Sequence, residues 1–149
     1  MTPAIRPVAS EDWEGWRRLW QGYLSFYDAD LPESQYRLQF ARLTDPGERR
    51  VCGLVAEDND EGLIGLAHCI WHLHGWTAAP VLYLQDLFTA PEARGNGVAR
   101  ALMSAVYALG DRHEAAGIYW LTQGGNTVAR ALYDRVGRAT DFFKYVRDA

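Results

Sequence analysis

The 149-residue chain predicts an α/β fold: a mixed, largely antiparallel central sheet with flanking helices, in a single domain over residues 1–149. Two observations carry this. Three strand-like runs follow one another with only turns between them, at roughly 50–57, 62–74 and 80–89, as an antiparallel meander does. Later the pattern changes to strand, helix, strand, and returning to the same sheet after a helix makes a parallel pair.

The elements follow in order. AIRPV reads as a short edge strand, because Pro7 has no N–H to give to a central ladder. Ser10 reads as the N-cap of a helix on which Trp13, Trp16, Trp20, Tyr23, Leu24 and Tyr27 recur at steps of three and four. A second helix starts after Pro32, carries Tyr36, Phe40 and Leu43, and stops at Asp45, Pro46 and Gly47. The meander turns at Asp58 to Gly62 and again near Gly75. From Val98 a helical stripe runs through Leu102, Ala105, Val106 and Leu109, and IYWLT at 118–122 is a short strand. Asn126 to Val136 reads as a helix with Val128, Ala129, Leu132 and Val136 inward and Gly137 at its end. The aromatic-rich residues 141–147 read as a last strand.

Composition narrows the function classes. With 48% hydrophobic and 23% charged residues the chain is an ordinary globular domain. A net charge of −4 without a basic block argues against nucleic acid or an anionic membrane as partner. No apolar run approaches the roughly 18 residues that span a bilayer. Two cysteines are too few for a disulfide framework, so a cytoplasmic protein is expected. His68, His72 and His74 share one face of an extended run, but no carboxylate or cysteine completes a ligand set, and no metal is expected.

The stretch EARGNGVARAL, residues 92–102, raises the functional question. It follows the strand LYLQDLFT and the loop APEAR and enters a long helix. Helix starts expose unpaired N–H groups and a partial positive charge, and small residues there let an anion reach the backbone. A pyrophosphate seat and a plain structural turn both fit that local spacing. A Walker loop would need Gly-Lys-Ser/Thr where Gly97, Val98 and Ala99 stand. A dinucleotide fingerprint would need a third glycine where Arg100 stands.

What remains is R-x-x-G-x-[GA], here Arg94, Gly97 and Ala99, after an apolar strand. With the downstream segment YWLTQGGNTVARALYDRVG, which holds Asn126 and Tyr133, the chain resembles the GNAT superfamily of N-acetyltransferases. Within it, YLQDLFTAPEARGNGVA and FYDADLP are similar to the polyamine (spermidine/spermine) and small yeast-type histone or polyamine acetyltransferases. The resemblance implies the acyl-CoA N-acyltransferase fold, its parallel strand pair splayed open around acetyl-CoA. It further implies that Leu87, Phe88 and Thr89 meet the pantetheine arm, and that Gly95, Asn96, Gly97, Val98, Ala99 and Arg100 hold the pyrophosphate. Asn126 would touch the pantetheine and Tyr133 would be the general acid. A homodimer through C-terminal strands is implied in the same way.

The chemistry of amine acetylation is consistent with those residue types. Pantetheine carries amides that an open strand edge can pair with. The oxyanion of acyl transfer needs N–H donors already aimed at it, and strand backbone near Phe88 is the candidate. The thiolate leaving group, of pKa near about 8.5, is helped by an acid. The acceptor is harder: an alkyl amine of pKa about 10.4 is neutral in about one molecule in 10³ at pH 7, a cost of about 4–5 kcal/mol. The polyamine enzymes resembled here have a glutamate where this chain has Gln85, and an amide accepts no such proton. Asp86 is the nearest alternative base, but in a regular strand it points to the opposite face unless a bulge re-aims it. Tyr27, Asp28 and Gln85 are candidates on the acceptor side, and Trp16, Trp20 or Trp71 could wall an amine site. The acceptor expected is a polyamine, another small amine or a lysine side chain. A noncatalytic acyl-CoA-binding domain, which Gln85 permits, and a nucleotide-binding module resting on Gly95 and Gly97 are the alternatives.

Overall fold

In the computed structural model, which describes residues 2–149, a five-stranded sheet runs β1-β2-β3-β4-β5 in spatial order. The strands are β1 (Ala4–Pro7), β2 (Val51–Asp58), β3 (Gly62–His72), β4 (Val81–Thr89) and β5 (Ile118–Trp120). The first four pair antiparallel and β5 pairs parallel with β4, as the run of strands and the later crossover predict. Helices α1 (Trp13–Phe26), α2 (Glu33–Thr44), α3 (Val98–Arg112) and α4 (Thr127–Val136) flank it.

The aromatic stripe of α1 makes one half of the core. Trp16 and Trp20 stack at 5.2 Å and meet Tyr36 of α2 edge-on, over the face of the sheet that carries His68. Gly22 brings α1 so close that an added Cβ would stand 2.9 Å from Phe88 on the same face. Val98, Leu102, Met103 and Val106 of α3 are buried in the same core. There Gly65 of β3 admits the Val98 and Leu102 side chains. Removing each such large apolar side chain from water is worth about 1.5–3 kcal/mol.

Four expectations need correction. Ser10 caps nothing: residues Ser10–Asp12 form a 3₁₀ turn, and it is Asp12 whose carboxylate accepts from the Ala9 N–H at 2.8 Å. Asp12 is held there by two bonds from the Arg6 guanidinium, at 2.7 and 2.9 Å. The run 62–74 stops being strand at His72, so His74 lies in the following loop. Val128, expected inward, is 85% exposed because α4 lies over a cleft and not over core at its first turn. Residues 141–147 form no strand: Phe142, Phe143 and Tyr145 are 88, 84 and 93% exposed. The segment pairs with neither open edge of the sheet, that of β1 or that of β5.

Candidate active site

The site is made by a mismatch of strand lengths. β5 covers only Leu82, Tyr83 and Leu84 of β4, so the stretch Gln85 to Thr89 has no strand on that side. A cleft of about 660 Å³ opens there, within the usual size of cofactor sites. Leu87, Phe88 and Thr89 form one wall, Gly95, Gly97, Val98, Ala99 and Arg100 the far end, and Asn126, Val128 and Tyr133 of α4 and its cap the opposite wall.

The far end is built for an anion. Gly95 and Gly97 both adopt φ of +79°, a left-handed conformation that strongly favours glycine. Gly97 caps α3 with no side-chain bond to the first-turn N–H groups, which are left for a ligand. Arg94, Arg100 and Arg135 also line the cleft and add positive charge. Arg94 has a second use: its Nε donates to the Thr89 carbonyl at 3.1 Å and its guanidinium lies over the Phe88 ring, tying the loop to the end of β4. Asn96 falls outside the cleft wall, its amide reaching back to the Ala93 carbonyl at 3.4 Å. Asn126 caps α4, its Oδ1 accepting from Ala129 N at 3.3 Å, while still facing the cleft.

These residues fit acetyl-CoA. The glycine seat and three arginines suit its phosphates, and the uncovered β4 suits its amide-bearing arm. One atom supports the fit directly: the Thr89 hydroxyl is buried without a hydrogen-bond partner, beside the cleft. Such a group is costly unless a ligand satisfies it.

A small second recess adjoins the first, walled by Tyr23, Tyr27, Gln85 and Trp120 together with Leu121 and Thr122. Tyr23, Tyr27, Leu87 and Tyr133 belong to both cavities, so these four form their common wall. The Tyr133 ring packs on Trp120 at 5.6 Å, and burial raises its phenol pKa above the ordinary value, with the neighbouring Tyr27 adding to the effect. The phenol therefore stays protonated and available as a donor.

The bulge that Asp86 needs is present. His68 pairs with Asp86 but Cys69 pairs with Leu84, so Gln85 is the extra residue of β4. Asp86 turns to the α1 face, 7% exposed, where its Oδ2 accepts from Trp20 Nε1 at 3.2 Å and lies 2.9 Å from His68 Nδ1. It does not reach the wall of either cavity. Asp28, at φ of 54° in the turn after α1, reaches neither cavity as well. Gln85 and Tyr27 do.

The three histidines disperse. His68 serves Asp86, His72 bonds the Tyr119 hydroxyl at 2.8 Å, and His74 packs on Trp76. No group of three metal-ligating side chains occurs among the described residues. Trp16 and Trp20 are core, and Trp71 packs on His113, so none of the three walls the recess. Trp120 and Tyr23 do, and the sequence reading missed both as site residues. Tyr23 was legible as a member of the α1 stripe, one turn before Tyr27; nothing in the sequence marks Trp120 apart from its place at the end of a short strand.

The acetyltransferase (GNAT) family matches residues 13–137 of the chain. The D-amino-acid N-acetyltransferase HPA3 of Saccharomyces cerevisiae is 34% identical over 145 residues, covering 97% of this chain and 89% of that protein. Among solved structures, AAC(6')-Iy in complex with a bisubstrate analogue superposes with a TM-score of 0.83 at 20% identity, covering 100 and 99% of the two chains. A probable acetyltransferase gives 0.86 at 23% identity, covering 98 and 97%.

Proposed function

The chain belongs to the acetyltransferase (GNAT) family and is an acetyl-CoA-dependent N-acetyltransferase of amines, and from that premise we propose direct transfer to a small primary amine bound in the aromatic recess. The observation that carries this is the shared wall of Tyr23, Tyr27, Leu87 and Tyr133, which brings one reactant's cavity against the other's. Neither Cys52 nor Cys69 lines either cavity, so no thiol stands ready to carry the acetyl group, and attack by the amine itself is the simpler course.

In this reading Gly95 to Arg100 hold the diphosphate, with Asn96 shaping the turn, and Leu87 to Thr89 and Asn126 hold the pantetheine. Tyr133 donates a proton to the departing sulfur. Asp86 receives the acceptor's proton, and Tyr27 and Gln85 contact the acceptor. Aromatic faces suit an ammonium group, and a desolvating recess favours its neutral form. Small amino acids head the acceptor classes, because the relative at 34% identity over nearly the whole chain is named for D-amino acids. Polyamines and lysine side chains follow. The exposed aromatic segment 141–147 supports a homodimer in which a second copy covers it. Cytoplasmic residence accords with Cys52 and Cys69 standing opposite each other on β2 and β3 as free thiols.

The test is an initial-velocity study following free thiol, with acetyl-CoA and a panel of D- and L-amino acids, polyamines, aminoglycosides and lysine peptides. Intersecting double-reciprocal lines with a small amine are expected. Parallel lines would overturn direct transfer, and turnover of lysine peptides alone would overturn the small acceptor.

A further inference from the structure

Asp86 follows Gln85 of the recess wall in sequence, yet it lines neither cavity. Its surroundings determine how a proton reaches it. Trp16 Nε1 donates to His68 Nε2 at 2.9 Å, and an indole nitrogen can only donate. That fixes the imidazole tautomer: the single ring proton sits on Nδ1 and points at Asp86 Oδ2, 2.9 Å away. His68 therefore cannot take a second proton without breaking the Trp16 bond, and the carboxylate is the base of this cluster. Both bonds to Asp86, from His68 and from Trp20, fall on Oδ2.

The titratable groups that face the carboxylate are Tyr23 from α1, His68 and Cys69 from β3, and Tyr83 on its own strand. As held, none is a cation. Of these, Tyr23 alone also lines both cavities. Its hydroxyl lies 3.5 Å from the Gln85 carbonyl at the bulge, one residue before Asp86, and is close enough to feel the charge of the carboxylate. Burial and that charge raise its pKa, so the hydroxyl keeps a proton to pass on.

We infer that Tyr23 carries the acceptor's proton inward: its oxygen accepts a proton from the substrate ammonium while its own phenolic proton passes to Asp86, with His68 as the positioning residue that holds the carboxylate. This rests on the N-acetyltransferase reading above and names a step within it. One N–H bond breaks and one O–H forms on Tyr23; the original Tyr23 O–H breaks and one forms on Asp86. The freed lone pair then makes the C–N bond to the acetyl carbon, the C–S bond breaks, and the sulfur takes the Tyr133 proton. The nitrogen, still carrying one proton more than the amide holds, gives it to the Tyr133 phenolate, which restores the acid. After product leaves, Asp86 returns its proton to solvent by the same path, so the turnover releases one proton net.

The test compares kcat/KM from pH 6 to 10 for the wild type, Tyr23→Phe, Asp86→Asn, their double variant and His68→Gln, using the best amine from the panel. Tyr23→Phe and Asp86→Asn should each lose about 10²–10⁴-fold, the range for a general acid or base, with KM for acetyl-CoA changed less than about twofold. The double variant should be no slower than the worse single one, because the two groups act as a unit. The rate of each single variant should climb tenfold per pH unit up to the pKa of whichever amine is used, about 8 for an α-amine and about 10 for an alkyl amine. His68→Gln should lose less and shift the acidic limb of the profile. Tyr23→Phe keeps the ring, so it decides the matter even if Asp86→Asn does not fold. Wild-type rate and pH profile in Tyr23→Phe, or losses that multiply in the double variant, would overturn the relay while leaving the acetyltransferase reading intact; no wild-type thiol release across the panel would overturn both.

Discussion

Replacing Gly97 by alanine separates the cost of the turn from the cost to the cofactor. Gly97 sits at φ of +79° with nothing within 4 Å of where a Cβ would stand, so the new methyl clashes with no protein atom. The folding cost is then the left-handed strain alone, about 1 kcal/mol, which for a chain of this size lowers Tm by about 2–4 °C. The same methyl faces the cleft at the first turn of α3, where the diphosphate is proposed to lie against backbone N–H groups. Pushing the anion off one charge-assisted hydrogen bond costs about 1.5–3 kcal/mol, or about 10- to 100-fold in affinity. The assay compares KM for acetyl-CoA with KM for S-acetylpantetheine, which lacks the diphosphate. Gly97→Ala should weaken acetyl-CoA by that factor and leave S-acetylpantetheine within about twofold. Equal losses for both, or a lowered Tm with unchanged acetyl-CoA affinity, would refute the diphosphate seat.

Tyr133→Phe should reduce kcat by about 10²-fold or more while sparing acetyl-CoA binding by titration calorimetry; unchanged kcat would remove Tyr133 from the mechanism. Asp12→Asn should destabilise the chain at neutral pH by about 1–3 kcal/mol, since it uncouples the Arg6 guanidinium and weakens the bond to Ala9. The Arg6 bonds hold the Asp12 carboxyl below the usual carboxylate range, so this stability is present above about pH 4 and fades as pH falls through the lowered value. The denaturation midpoints of wild type and Asp12→Asn should therefore converge in acid, and a gap that persists there would count against the ion pair as its source. Light scattering should give a dimer mass for the full chain and a monomer mass when Phe142, Phe143 and Tyr145 are all changed to serine; a monomeric wild type would refute the C-terminal pairing.

What the sequence made legible was what depends on local spacing. The α1 stripe, the meander and the left-handed glycines before α3 each follow from periodicity or from a backbone conformation that favours one residue type. The acceptor side was less legible because it depends on register. Strict alternation predicts one face per residue along β4, but one extra residue at Gln85 breaks that count, and Asp86 ends buried against Trp20 while Gln85 lines the recess. No composition rule marks Gln85 as that residue. Residues 141–147 misled for a different reason: their β-rich pattern is real, but a strand forms only where it joins an edge, and periodicity does not record which edge is joined.

In the proposed reading the same strand serves the two substrates by different means. Past Leu84, β4 loses its β5 neighbour, and its uncovered side at Leu87 to Thr89 becomes a surface for an amide-bearing ligand. Beside it the bulge at Gln85 ends the regular alternation that puts Asp86 and Phe88 on the α1 face, with Asp86 against Trp20. There two donors, Trp20 Nε1 and His68 Nδ1, satisfy the buried carboxylate, which would otherwise be costly to remove from water. On the same reading, cofactor recognition needs backbone and glycine, which many sequences can supply, whereas the proposed base depends on Asp86, His68 and Trp20 meeting from β4, β3 and α1.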